Sequence, residues 1–204
     1  KPLRLLVDFL RLWYSPAELK ERLATLPTDA GFEREYTQPA LLISEKEWKD
    51  PRVYESCRIY LDAAKENDYT RALQAAEELV AIRGQVWDLS AQASCLTNLG
   101  RYDEAAALYD RIVKMAPTHA PTWQQRAWTL FRVGKLEEAL ESCNRSIELD
   151  NDRGRSWCCR GSILAGLGQL DEALASCDTA IKLNDKDALA WTSRGMILAD
   201  LTRY

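Results

Sequence analysis

The sequence predicts an all-α protein built from stacked helical hairpins, and three observations carry that prediction. Tryptophan recurs at a constant interval, at Trp123, Trp157 and Trp191. Within each period, apolar residues recur at spacings of three and four, which place them on one face of a helix. A glycine follows the first apolar stripe, at Gly134 and Gly168, where helices commonly end. A period of roughly 34 residues with two helical stripes predicts a repeated helical hairpin.

Residues 1–50 do not follow the period, and we expect them to form an N-terminal helical segment, or cap, with a linker. Residues 3–13 are typical of an amphipathic helix. The Ser15-Pro16-Ala17-Glu18 stretch is a capping box that opens a second helix. Residues 3–26 are faintly similar to the small helical adaptor domains, effector-associated or death-like, of bacterial defence proteins. The simpler interpretation is a cap over the first repeat.

Residues 51–204 are predicted to form the repeat array, with about four and a half units. In the best-defined unit, Trp123, Ala127 and Leu130 share one face of the first helix, and Ala139 begins the apolar stripe of the second. Small residues at such positions let two helix backbones approach closely. We expect hairpins near residues 53–84, 87–117, 121–150 and 155–184, followed by a lone first helix from about residue 188.

The agreement between periods extends to many further positions, which include Leu89, Ala93, Leu96, Gly100, Tyr102, Ala105, Tyr109 and Pro117 in the unit before Trp123. On these residues the chain resembles the tetratricopeptide repeat family over residues 53–204. The resemblance implies a right-handed superhelical solenoid. It also implies that the first helices line a concave groove, which binds a peptide or a helix of another protein.

Two positions depart from the family pattern. Arg126, Arg160 and Arg194 stand where the family usually has an apolar residue. We interpret them as side chains whose stems pack locally and whose charge enters a structural ion pair. The proline that ends a repeat is present at Pro117, but Asn151 and Asp185 replace it in later units, which the hairpin turns should tolerate.

The resemblance places one stripe of each first helix in the groove. From that stripe we select the candidate partner-binding residues, which are Asn98, Gln124, Trp128, Phe131, Arg132, Arg155, Cys158, Ser162 and Met196. Aromatic residues and arginine are the usual anchors of interfaces. The alternative interpretation is that Trp128 and Phe131 pack on adjacent repeats. A family clamp for C-terminal carboxylates is not supported, because its positions hold Ser90, Ser94, Gln125, Arg155 and Cys159, with one cation among them.

Composition excludes several function classes. The chain carries a net charge of −4 and a pI of about 5.2, so we expect neither nucleic acid nor a membrane surface as partner. The single histidine, His119, has no cysteine nearby in the predicted hairpins, and we expect no catalytic residue, metal or cofactor. The six cysteines lack zinc-site spacing, so we expect free thiols in a reducing, cytoplasmic setting.

We therefore predict a protein-interaction scaffold without catalytic activity. The alternative is a regulatory or sensor arm of a larger signalling or enzymatic protein, such as a protease or a defence effector, whose groove holds an intramolecular segment. The last repeat stops before its second helix, and residue 1 is lysine, so we expect a fragment of a longer protein. Its open end would expose Leu198 and Leu201 and permit self-association.

Overall fold

The computed structural model describes residues 51–201. The chain divides into two compact units, residues 1–58 and residues 59–204. The division falls inside the first described helix, whereas the sequence places the domain boundary after residue 50. The predicted N-terminal cap, and its resemblance to adaptor domains, lie outside the described residues.

Residues 51–201 contain helices joined by short turns, and no strand. The helices are α1 (Pro51–Lys65), α2 (Tyr69–Ile82), α3 (Val86–Asn98), α4 (Tyr102–Met115), α5 (Ala120–Val133), α6 (Leu136–Leu149), α7 (Gly154–Gly166), α8 (Leu170–Leu183) and α9 (Ala188–Leu201). The odd-numbered helices are the first helices of the hairpins, and the even-numbered ones are the second helices. The predicted hairpins at residues 87–117, 121–150 and 155–184 are confirmed, and α9 begins at the predicted residue 188.

Glycine ends the first helices as predicted. Gly134 follows α5 with a φ of 91°, a left-handed conformation that glycine adopts without strain. The next amide, of Lys135, donates to the Leu130 carbonyl at 3.0 Å, which is the bond that closes a Schellman-type helix end. Gly168 repeats this geometry after α7 with a φ of 77°. The chain can therefore reverse direction between α5 and α6, and between α7 and α8, within a very short turn.

Small residues sit where two helices of a hairpin cross. Ala127, Ala139 and Ala173 are fully buried. Gly161 of α7 lies so close to α8 that a Cβ at this position would be 2.7 Å from Cys177 Sγ and 3.1 Å from the Ala173 carbonyl oxygen. These contacts confirm that small side chains permit close helix packing in this array.

The repeated tryptophans fix the turns between hairpins. Each indole Nε1 donates a hydrogen bond of 2.8 to 2.9 Å to a backbone carbonyl six residues earlier, and the pairs are Trp123 with Pro117, Trp157 with Asn151, and Trp191 with Asp185. The acceptor is a main-chain oxygen in every case. The side chain at the acceptor position can therefore change from proline to asparagine or aspartate without loss of the bond.

The repeated arginines join neighbouring second helices. Arg126 Nε donates to Asp110 Oδ1 of α4 at 2.7 Å, and the same side chain bonds Ser142 of α6. In the next repeat, Arg160 Nε donates to Asn144 Oδ1 at 3.1 Å, and its terminal nitrogen donates to Ser176 Oγ at 2.7 Å. The predicted packing role of these arginines is confirmed. Asn144 takes, for Arg160, the place that Asp110 has for Arg126.

Candidate functional site

A groove of about 740 Å³ opens between α5, α7 and the start of α9. Three consecutive repeats supply its walls. Its lining residues are Gln124, Gln125 and Trp128 of α5; Asp152, Arg153, Gly154, Arg155, Cys158, Cys159 and Ser162 of α7 and the turn before it; and Leu183, Asn184, Lys186, Asp187, Ala188 and Leu189 around the α8–α9 turn. First helices therefore line this groove, together with the turns between hairpins.

Five of the predicted site residues line the groove, and they are Gln124, Trp128, Arg155, Cys158 and Ser162. Gln124 and Trp128 are one turn apart on α5, and Arg155, Cys158 and Ser162 follow one another along α7. The helical spacing that selected them from the sequence also brings them to a common surface. Cys158 belongs to the floor of that surface, because its side chain is 1% exposed and packs with Ala180 and Ala190.

Phe131 and Arg132 of α5 do not line the groove. Phe131 packs against the core cluster around Leu130 and lies 5.6 Å from the Trp128 ring, measured between ring centroids. The Arg132 guanidinium lies 4.5 Å from the centre of the Tyr102 ring and 5.8 Å from that of Trp128, both distances typical of cation–π contacts. Phe131 and Arg132 therefore pack against the Trp128 ring and are not part of the groove lining.

Asn98 and Met196 also lie away from the groove lining. Asn98 is exposed at the end of α3, and its side-chain amide donates to the Ser94 carbonyl at 2.9 Å. Met196 is 66% exposed on α9. Both follow the predicted stripe, but the groove begins one hairpin beyond Asn98 and includes only the start of α9. The assignment of these two residues to a binding surface stays a prediction.

Trp128 differs from the repeated tryptophans in its hydrogen bonding. It is half-buried, and its ring packs against the core cluster as the alternative interpretation expected. It also lines the groove. Within residues 51–201 its indole N–H has no acceptor, whereas those of Trp123 and Trp157 each bond a turn carbonyl. Trp128 therefore combines an aromatic ring in the groove lining with an indole N–H that has no acceptor among the described residues.

Charged side chains surround an apolar floor in the groove. Arg155 and Lys186 are exposed, and neither makes an ion pair within the part of the chain that the structure describes. Asp152 is exposed nearby, and Arg153 lies 3.5 Å from Asp150. Two such cations on a groove of mixed charge favour a ligand with an acidic group beside an apolar one.

The cysteines of the groove floor are poor nucleophiles. Burial raises the pKa of the Cys158 thiol to about 12. The pKa of Cys159 is also raised, first by its hydrogen bond with Cys143 and then by burial. All six cysteines are buried free thiols in the structure. Because only a thiolate attacks or binds a metal readily, these sulfur atoms serve as packing groups.

His119 is the residue at the N-cap position of α5, and it does not line the groove. Its Nδ1 lies 2.7 Å from the hydroxyl of Thr122 in the first turn. Burial, and secondly the positive charge of Arg153, lowers the pKa of His119 below its ordinary value. No group of three histidine, cysteine or acidic side chains within residues 51–201 is placed to hold a metal ion. None of the helices α1 to α9 has the length and apolar character needed to cross a bilayer.

Most of the groove residues that the sequence did not select lie in or beside the turns between hairpins. Asp152 and Arg153 precede α7, and Leu183, Lys186 and Asp187 surround the α8–α9 junction. The selected stripe covered only the first helices, so the turn residues were omitted. A signal was available, because charged residues cluster where the repeat proline has been replaced by Asn151 and Asp185.

Two sequence families match the chain. The family described as "Anaphase-promoting complex, cyclosome, subunit 3" matches residues 65–146, and the tetratricopeptide repeat itself matches residues 154–187. No curated protein is significantly similar to the chain. The stacked hairpins and the groove on their first helices define a helical-repeat solenoid. The resemblance to the tetratricopeptide repeat family that the sequence predicts is confirmed.

Solved structures of low sequence identity share this fold. MamA from residue 41 to its end, from Desulfovibrio magneticus RS-1, is 17% identical over 74% of this chain and 86% of its own, with a TM-score of 0.66. The first repeat domain of Spaghetti (RPAP3), bound to the HSP90 peptide SRMEEVD, is 23% identical over 58% and 94%, with a TM-score of 0.55. The second repeat domain of human RPAP3, in complex with the HSP70 peptide SGPTIEEVD, is 26% identical over 53% and 91%, with a TM-score of 0.51.

Proposed function

We propose that this chain is a protein-interaction module whose groove between α5, α7 and α9 binds a peptide segment or helix of another protein. The observation that carries the proposal is that Trp128 and the exposed Arg155 line the same groove, and neither side chain has a hydrogen-bond partner among the described residues. Tryptophan and arginine contribute much of the binding energy at protein interfaces. No catalytic step is proposed, because the groove thiols are held protonated by burial.

Two polar side chains along the groove are suited to bind the main chain of a peptide ligand. Gln124 and Gln125 lie beside Trp128, and their side-chain amides make no hydrogen bond to the described residues. An amide offers both a donor and an acceptor, so two neighbouring glutamines can bond successive peptide groups of an extended segment. Leu183 and Leu189, both exposed, offer apolar contacts on the opposite wall.

The chemistry of the ligand differs from that of the peptides in the similar structures. Those peptides end in EEVD. Here the positions of the family carboxylate clamp are mostly neutral, since the Ser90 hydroxyl donates to the Val86 carbonyl at 2.7 Å and Cys159 is buried in the floor. Arg155 is the remaining cation. We infer a ligand that places one apolar side chain against Trp128 and one acidic side chain against Arg155.

A display experiment tests this proposal. Random short peptides displayed on phage are selected on the immobilised full chain, and the best binders are measured by calorimetry. We expect selected peptides to combine an aromatic or leucine residue with a nearby acidic residue. Trp128→Ala and Arg155→Glu should each weaken binding by about tenfold or more, a loss of roughly 1.4 kcal/mol.

Two controls separate groove binding from general effects. Trp128→Phe keeps an aromatic ring but removes the N–H, and Arg111→Glu changes a charge on the exposed side of α4, outside the groove lining. Arg111→Glu should leave the affinity within about twofold. If the best peptides bind Trp128→Ala and Arg155→Glu as tightly as the unchanged chain, the groove assignment is wrong.

A further inference from the structure

Three side chains of α4 and α5 form a cluster in which one arginine contacts two aromatic rings. The Arg132 guanidinium lies 4.5 Å from the centre of the Tyr102 ring and 5.8 Å from that of Trp128. Tyr102 is the first residue of α4, and Trp128 and Arg132 are one turn apart on α5. The cluster, which we call the aromatic–arginine triad, therefore connects the Trp128 ring to the hairpin that precedes α5.

The repeat itself shows that a hairpin forms without the triad. The equivalent positions in neighbouring repeats are Leu136 and Leu170 for Tyr102, Ser94 and Ser162 for Trp128, and Asn98 and Gly166 for Arg132. Helices α3, α6, α7 and α8 contain those residues and occupy their expected places in the array. Neither the two rings nor the guanidinium is therefore required to build the fold at these positions.

Of the three triad residues, Trp128 alone lines the groove. Its ring is half-buried, and it also contacts Phe131, at 5.6 Å between ring centroids. A long side chain on a helix has two common χ1 rotamers, so a partly exposed ring can exchange between two directions. Contacts with Arg132 and Phe131 favour the one direction that the structure shows.

We propose that Arg132, held by the Tyr102 ring, is a positioning residue that keeps the Trp128 ring in the arrangement that the peptide ligand requires. This role rests on the proposed function, since it presumes that Trp128 binds the ligand. Arg132 and Tyr102 themselves make no contact with the ligand. The apparent dissociation constant rises as the fraction of molecules with a competent site falls, so the triad raises the affinity by raising that fraction.

Fluorine NMR of the ligand-free chain tests the positioning directly. The full chain is labelled with fluorotryptophan, and the Trp128 resonance is the one that Trp128→Phe removes. Tyr102→Leu and Arg132→Gln should each shift or broaden that resonance, because the ring then exchanges between rotamers. The resonances of Trp123 and Trp157, whose indoles bond turn carbonyls, should change much less. Tyr102→Phe keeps a ring for the cation–π contact and should leave the Trp128 resonance nearly unchanged.

A binding measurement tests the consequence for the ligand. The probe is the tightest peptide from the display selection, labelled with fluorescein, and the readout is fluorescence anisotropy. Tyr102→Leu and Arg132→Gln should each weaken binding by about threefold to tenfold, and Tyr102→Phe should stay within about twofold. Tyr102→Leu changes no charge, and the variant should fold because Leu136 and Leu170 hold this position in later repeats. Circular dichroism checks the folding of each variant.

A double-mutant comparison separates positioning from direct attraction to an acidic ligand. If Arg132 acts through the Trp128 ring, Arg132→Gln should change the affinity by less than about twofold in a chain that already carries Trp128→Ala. Arg111→Gln removes the same charge from the exposed side of α4 and should leave the affinity within about twofold.

Three results would overturn the positioning role by itself. The first is an unchanged Trp128 resonance in both Tyr102→Leu and Arg132→Gln. The second is binding that Trp128→Ala weakens and these two variants do not. The third is an equal effect of Arg132→Gln with and without the Trp128 ring. If Trp128→Ala leaves the affinity unchanged, or if no peptide is selected, the proposed function fails and the positioning role fails with it.

Discussion

The indole nitrogens separate the tryptophans of the array into two kinds. Trp123, Trp157 and Trp191 each bond a carbonyl in the turn before their helix, which ties one hairpin to the next. Trp128 lies on another face of α5 and has no such acceptor within residues 51–201. A tryptophan whose donor is already used contributes to folding, whereas one with an available donor at a groove is suited to binding.

Replacement of a tryptophan that bonds a turn carbonyl should lower the free energy of unfolding more than replacement of Trp128 in the groove. Trp157→Phe removes the bond of 2.8 Å to the Asn151 carbonyl. We expect a loss of about 1 kcal/mol in the free energy of unfolding beyond that of Trp128→Phe. Urea titration of both variants measures the difference. Equal losses would show that ring volume, and not the hydrogen bond, sets the cost.

His119 should make the stability depend on pH in the mildly acidic range. Its folded pKa is lowered from the ordinary value of 6.5, chiefly by burial and also by Arg153. The unfolded state therefore takes up the proton first as the pH falls. The stabilising contribution is complete above about pH 6.5 and is lost as the pH falls toward the folded pKa.

His119→Asn tests this linkage, because asparagine can still bond the Thr122 hydroxyl. The urea midpoint of the unchanged chain should fall further between about pH 8 and about pH 5 than that of the variant. Identical pH dependence of the two proteins would rule out a contribution from His119.

Each hairpin depends on a close approach between its two helices. In α7 and α8 the approach is closest at Gly161, which faces Cys177. In α5 and α6 the equivalent position is Ala127, and it is fully buried. The array therefore accepts at most a methyl group at this crossing, and in the α7–α8 pair even a methyl group requires a shift.

Two glycine-to-alanine variants should have opposite effects. Gly161→Ala brings a Cβ to 2.7 Å from Cys177 Sγ. We expect a net destabilisation of about 1 kcal/mol after the gain in helix propensity is counted. A Cβ at Gly195 meets no neighbour within 4 Å, so Gly195→Ala should stabilise the chain by up to about 1 kcal/mol. Thermal unfolding of the pair measures both signs, and a stabilising Gly161→Ala would contradict the packing argument.

In the array of residues 59–201, stability should vary from repeat to repeat. Hairpins of a solenoid are stabilised mainly by their immediate neighbours. Helix α7 packs against α6, α8 and α9, whereas α9 leaves Leu189, Met196 and Leu198 exposed. Helices with fewer covered faces open more readily than those packed on all sides.

Hydrogen exchange measured by mass spectrometry should reveal this gradient. We expect the amides of α9 to exchange faster than those of α7. Equal protection of α7 and α9 in the free chain would show that the array unfolds as one cooperative unit.

The sequence predicted the hairpins well and the groove only in part. The predicted and observed helix bounds agree because they depend on residues close together in the sequence. These are the regularly spaced apolar residues and the helix-ending glycines at positions 134 and 168. Gln124, Trp128 and Arg155 were found because they follow the helical stripe. The turn residues Arg153 and Lys186 were not, because their approach to one groove depends on how successive hairpins pack.

The constant interval between the tryptophans and the placement of small and apolar side chains can be read along the chain, so the sequence was sufficient to establish the all-α repeat fold and the packing role of the arginines. It could not show which tryptophans have their donors satisfied, or that Gly195 and Leu198 remain uncovered while Gly161 and Leu164 are buried. Those differences depend on which other helices pack against each residue. Helices α6 and α8 cover the equivalent faces of α5 and α7, and no described helix covers that face of α9. Residues with the same position in the repeat therefore acquire different roles through the helices that pack on them.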